Sequence, residues 1–157
     1  MKIVLLVIGK TDAGYFADAF NEYKKRLNHY IPFEMTVIPD IKNVKNLSES
    51  QQKEKEGEQI LKSLQTGDYL VLLDENGKDF TSVQFASYIE KKMNVVPKRL
   101  VFVIGGPYGF SESVYKASSE KIALSKMTFS HQMIRVIFVE QIYRAMTILN
   151  NEPYHHK

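Results

Sequence analysis

Apolar residues along the chain fall into two kinds of segment. Lys2–Ile8 (KIVLLVI) is a continuous apolar run rich in branched side chains, the pattern of a strand buried on both faces. Tyr15, Phe16, Ala19, Phe20, Tyr23 and Leu27 then recur at helical spacing, which predicts a helix opened by Asp12 and running to Leu27. Phe33–Ile38 reads as a second strand, and the polar stretch Pro39–Leu47 as a mobile loop. A charged helix is expected over Ser50–Leu64, anchored by Ile60, Leu61 and Leu64, with its lysines and glutamates on a solvated face.

Tyr69–Leu73 is a third buried strand, and Asp74–Asp79 (DENGKD) reads as a turn carrying Asn-Gly. Thr81 or Ser82 caps a helix to about Met93, and Pro97 punctuates the chain before a fourth strand, Leu100–Ile104. Ser111–Ala117 is a short helix with a serine cap, Lys121–Leu124 a short fifth strand, and His131–Leu149 the last helix, followed by a polar tail. Strands alternate with helices, so residues 1–157 are expected to form one α/β domain with a mainly parallel sheet flanked by helices.

The last helix changes this picture. Met133, Ile134, Val136, Ile137, Phe138, Val139, Ile142, Tyr143, Met146, Ile148 and Leu149 leave little of its circumference polar. A helix apolar all round needs cover on nearly all sides, which in so small a domain predicts a two-fold dimer.

Composition removes several function classes. The 157 residues are 44% apolar and 25% charged, as in an ordinary soluble domain. There is no cysteine, which excludes disulfides, thiolate metal sites and a cysteine nucleophile, and suits a reducing cytoplasm. The apolar N-terminal run is too short for a signal peptide, and no segment is long enough to span a membrane. Histidines at 29, 131, 155 and 156 make no zinc pattern, and no GxSxG occurs. A net charge of +3 permits a nucleic-acid partner without requiring one.

Candidate chemistry gathers at strand ends, where parallel sheets bind ligands. Gly105-Gly106-Pro107 ends strand four. Two glycines let a ligand approach the backbone, and Pro107 holds Gly106 extended. The GGPYG spacing is neither a dinucleotide fingerprint nor a P-loop, and a tight turn without a ligand remains open. Strand three ends in Leu73, Asp74 and Glu75, acids suited to a ribose hydroxyl or a cation, or simply to a turn. Leu124–Phe129 with Ser130 is a loop too apolar to stand free, covered by a cofactor ring or a partner subunit. In the last helix Glu140 and Arg144 stand in ion-pairing order, either as a structural bridge or as an arginine presented to phosphate or a base. Tyr154 could stack on a base, with His155 and Lys157 near phosphate, or the tail could be a disordered end.

KIVLLVIGK, EYKKRL, KEGEQIL, FVIGGPYG, LSKMTFSHQMIRV, VEQIYRA and PYHHK, in this order, resemble the ribosomal RNA large subunit methyltransferase H family of SPOUT-class methyltransferases. The resemblance implies transfer of a methyl group from S-adenosyl-L-methionine to N3 of a pseudouridine in large-subunit (23S) ribosomal RNA. It implies a homodimer, a C-terminal trefoil knot, and the ribosome as partner, with no metal. It implies cofactor contacts at Leu73, Gly105, Leu124, Ser125, Lys126, Met127, Thr128 and Phe129. Arg144, Glu140, Tyr154 and His155 are the expected catalytic group: Arg144 favouring the anionic pyrimidine or binding phosphate, Glu140 orienting it, and Tyr154 and His155 gripping the nucleotide. The family commonly has proline where Ser130 stands, and a single histidine in the tail. A small nicotinamide-dependent oxidoreductase and a non-catalytic RNA-binding module are the rival classes.

Overall fold

A computed structural model describes residues 1–12 and 14–156. Five strands, β1 (Lys2–Ile8), β2 (Phe33–Ile38), β3 (Tyr69–Asp79), β4 (Arg99–Ile104) and β5 (Glu120–Ala123), form one sheet of order β2-β1-β4-β3-β5. Every pairing is parallel. The helices are α1 (Gly14–Leu27), α2 (Glu49–Lys62), α3 (Ser82–Val95), α4 (Glu112–Ala117) and α5 (His131–Leu149).

Period-two alternation in the central strands explains their continuous apolar runs. Ile3, Leu5, Val7, Val71, Leu100 and Phe102 face α1, α3 and α5, packing with Phe20, Leu27, Phe85, Ile89, Phe138 and Ile142. Val4, Leu6, Leu70, Leu72, Val101 and Val103 face the other way, onto Ile60 of α2, Val114 of α4 and Phe110. The sheet is thus covered on both faces, as all-parallel sheets require.

Helix starts follow capping chemistry. Ser48 with Gln51 and Thr81 with Gln84 form reciprocal capping boxes, and Ser111 and Ser130 cap α4 and α5. The expected Asp12 cap turns on residue 13, which lies outside the described residues. Asp12 donates its backbone N–H to Gln132 Oε1 at 3.1 Å.

Several expectations need correcting. β3 does not stop at Leu73. Leu73 and Lys78 both pair with Ile122, so residues 74–77 form a bulge and the strand resumes to Asp79. The turn signal was nevertheless real: Asp74 Oδ1 accepts the Asn76 N–H at 2.8 Å. β5 ends at Ala123, so Leu124 belongs to the following loop. The stretch expected to be irregular holds a single 3₁₀ turn, Val44–Asn46. Glu56 is not on a solvated face; it is 3% exposed, beneath the glycine turn.

The apolar circumference of α5 is covered largely within the chain, since α1 and α3 flank it over the sheet. Met133 remains exposed, and Ile137, Glu140, Gln141 and Arg144 are half-buried along one side.

Candidate functional site

The bulge of β3 and the carboxyl end of β4 open into a cleft of about 480 Å³. Leu73, Asp74, Glu75 and Asn76 line one wall, the turn Gly105–Phe110 a second, and Leu124, Ser125, Met127, Thr128 and Phe129 a third. The three segments singled out in the sequence therefore meet in one place. Lys126 is the exception: its side chain is 87% exposed and its Nζ lies 3.8 Å from Asp79.

The glycine turn closes through Gly109 N–H donating to the Gly106 carbonyl at 3.2 Å. Gly109 adopts φ +83°, a conformation L side chains rarely take. A Cβ on Gly105 would stand 2.9 Å from the Phe110 ring, and one on Gly106 would collide with the Glu56 carboxylate. The turn is thus pressed between an aromatic ring and a buried acid.

No lysine or arginine lines the cleft among the described residues, whereas Asp74 and Glu75 do. The field there favours a cationic ligand group, and Leu73, Ile104, Leu124 and Phe129 suit a flat ring. Tyr115 donates its phenol to Asp74 Oδ2 at 2.6 Å. Burial, followed by this bond, pushes the Tyr115 phenol up to about 12. A raised pKa in the folded state adds stability that is complete below the unfolded phenol value, about 10. That contribution is lost as pH climbs through 12. Tyr115→Phe should therefore flatten the fall in stability between pH 10 and 12, as read by urea melts across that range.

Glu140, Arg144, Tyr154 and His155 form a second cluster. Arg144 donates Nε and Nη2 to Glu140 Oε1 at 3.0 and 2.6 Å, and Tyr154 donates to the same oxygen at 3.1 Å. Arg144 Nη1 lies 3.0 Å from His155 Nδ1. Arginine only donates, so Nδ1 must accept; His155 is the tautomer with its proton on Nε2. Burial first, then Tyr23 and Glu140, raise the Tyr154 phenol well above its ordinary value, so it is a donor and not a base. The tail is fixed, not floppy: Glu152 donates its N–H to the Thr147 carbonyl at 2.9 Å and accepts from Tyr30 at 2.6 Å. Lys157 lies outside the described residues.

These two clusters do not meet within one chain. The cleft reaches along α5 only to Ile134, and Arg144 is ten residues on, about 15 Å along a helix.

Sequence reasoning missed a second cavity, about 370 Å³, behind the glycine turn. Glu56, Arg135 and Asp40 line it, together with Gly106, Pro107 and His131, which it shares with the cleft. The available signal was Gly57. A Cβ there would meet Ser111 Oγ, so the glycine lets α2 close on the turn and carries Glu56 inward.

No helix among the described residues is long and apolar enough to cross a membrane. No group of three or more metal-ligating side chains occurs among them.

A family profile described as "Predicted SPOUT methyltransferase" matches residues 1–155. A Parabacteroides distasonis protein named Ribosomal RNA large subunit methyltransferase H is 83% identical over 157 residues, covering all of both chains. Proteins of the same name from Phocaeicola vulgatus and Bacteroides thetaiotaomicron are 65% and 64% identical, again over both full lengths. A sheet covered on both faces, a ligand cleft at its carboxyl edge and a match along almost the entire length lead to one assignment: this chain belongs to the SPOUT methyltransferase family.

Proposed function

We propose that this protein transfers a methyl group from S-adenosyl-L-methionine to N3 of a pseudouridine in large-subunit ribosomal RNA. The observation that carries the reading is full-length identity of 83% to a protein named for large-subunit ribosomal RNA methylation. The cleft supports it chemically. Its volume accepts an adenosyl group, its apolar walls suit adenine, and Asp74 and Glu75 suit a ribose hydroxyl or the positive charge of a sulfonium.

When bound, the cofactor supplies an activated methyl group, so the protein need only align, desolvate and hold charge. Leu73, Gly105 and the Leu124–Phe129 loop would hold the cofactor, largely through backbone groups. Arg144, oriented by Glu140, would bind phosphate or favour the anionic pyrimidine. Tyr154 and the Nε2–H of His155 would donate to the nucleotide.

Because the tail cluster stands away from its own cleft, the reading includes a two-fold dimer through the Met133–Arg144 side of α5. Such a dimer would bring one copy's tail to the other's cleft. A trefoil knot at the cofactor loops and a cytoplasmic, ribosome-associated setting belong to the same reading.

The test is mass spectrometry of ribosomal RNA from a deletion strain, followed by labelling of its ribosomes with purified protein and S-adenosylmethionine. Loss of N3-methylpseudouridine and its restoration in vitro are expected. An unchanged signal in the deletion strain would overturn the proposal.

A further inference from the structure

The bulge in β3 takes Asp74 out of the strand ladder and onto the cleft wall. Its carboxylate is then fixed from two directions. Oδ1 accepts the Asn76 N–H at 2.8 Å, inside the bulge itself. Oδ2 accepts the Tyr115 hydroxyl at 2.6 Å, from α4, 41 residues along the chain. Burial, then this bond, raises the Tyr115 phenol, so it keeps its proton and donates.

Tyr115 is itself held. Phe110, at the end of the glycine turn, meets its ring edge-on with centroids 5.8 Å apart. Lys121 of β5 places its ammonium 5.4 Å from the ring centroid. One phenol thus ties together the bulge, the glycine turn and the edge strand, yet it is 37% exposed and lines the cleft. A hydroxyl so open to solvent has no need of a protein partner, since water would serve. What the bond does is fix the direction of a carboxylate.

We propose that Asp74, aimed by Tyr115, accepts hydrogen bonds from the ribose hydroxyls of the cofactor, which makes Asp74 a specificity-determining contact and Tyr115 a positioning residue. The inference rests on the reading of the protein as an S-adenosylmethionine-dependent enzyme and deepens it. An ionised carboxylate has about four acceptor positions, two on each oxygen. Asn76 and Tyr115 take one on each, so each oxygen keeps a second. Asp74 is half-buried and lines the cleft, so a ligand there meets a fixed pair of acceptors. A vicinal diol donates two hydrogens in a set relation and gains from such a pair. A sulfonium brings charge but no hydroxyl or amine hydrogen, and a fixed acceptor direction gives it nothing that a mobile carboxylate would not.

The test is calorimetry of full-length protein with S-adenosylmethionine, S-adenosylhomocysteine, and the 2′-deoxy and 3′-deoxy analogues of S-adenosylhomocysteine. Wild type should bind S-adenosylhomocysteine at least ~10-fold more tightly than one or both deoxy analogues, as a hydrogen bond to a charged acceptor gives. Asp74→Ala should reduce that preference to less than about threefold, by weakening the parent compound and not the analogue. It should weaken S-adenosylmethionine and S-adenosylhomocysteine by the same factor, since the two share the ribose and differ in the charge on sulfur. Tyr115→Phe keeps the ring and removes the hydroxyl; it should weaken S-adenosylhomocysteine about 3- to 10-fold. In the Asp74→Ala background the same change should have no further effect, within about twofold, because Tyr115 acts through Asp74. A wild type indifferent to both hydroxyls, a preference that survives Asp74→Ala, a larger loss for S-adenosylmethionine than for S-adenosylhomocysteine, or additive losses in the double variant would overturn the inference. Failure of wild type to bind either S-adenosyl compound would instead remove the reading on which it rests.

Discussion

Arg144→Ala should reduce methyl transfer to ribosomes by about 10²-fold or more while leaving S-adenosylmethionine affinity at the wild-type value. The two halves of this expectation have separate origins. Arg144 does not line the cleft of its own chain, and the cofactor contacts proposed for Leu73, Gly105 and the Leu124–Phe129 loop do not include it. It does hold the tail together: Glu140, His155 and the Tyr154 ring, whose centroid is 4.8 Å from its guanidinium, all converge on it. Alanine would leave the Glu140 carboxylate without its cation and free the Tyr154 and His155 side chains at once. The stability cost should be about 1 kcal/mol, because the pair is only partly buried. Single-turnover methylation beside calorimetry reads both quantities. A wild-type rate would remove Arg144 from the site, and a matching loss of cofactor affinity would mean that the tail supports the cleft.

The second large effect is expected at Gly77. A Cβ there would lie 2.6–2.7 Å from the Ile122 backbone, a contact that no side-chain rotation can relieve. Gly77→Ala should therefore push β5 away from β3, at a cost of about 1–3 kcal/mol. β5 leads directly into the Leu124–Phe129 loop, so cofactor affinity should fall at least ~10-fold with stability. Gly14→Ala is the control: a Cβ there meets nothing within 4 Å, and both properties should stay near wild type. If Gly77→Ala melts and binds cofactor like wild type, β5 does not set the loop.

How much of this was legible beforehand depends on how local the signal is. β1, β2 and α5 carry complete apolar patterns and begin and end where the pattern does. Thr81 and Ser111 sit at helix starts because side-chain capping is decided within four residues. The bulge in β3 was misread because Asp-Glu-Asn-Gly has turn chemistry, and only the backbone of β5, some 45 residues on, shows that the strand resumes. Glu56 and Arg135 were passed over for a related reason. Each looks like an ordinary polar position on its own helix, and its burial is set by the glycine turn and the β1 end that close over it. The three cleft segments could be named from strand ends, but their meeting depends on β3 lying between β4 and β5, an order that local pattern does not encode.

The docking of α5 against α1 has a consequence for how the molecule comes into being. Phe20 and Leu27 of α1 find their cover in a cluster completed by Phe138, Val139, Ile142 and Met146 of α5. During synthesis the first helix is made early and its lid late, so the nascent chain carries an unsealed apolar flank for most of its translation. Contacts of such long sequence separation also slow the search for the native arrangement. A messenger cut short before α5 would yield chains with all five strands and an open side, the kind of product that aggregates or is degraded.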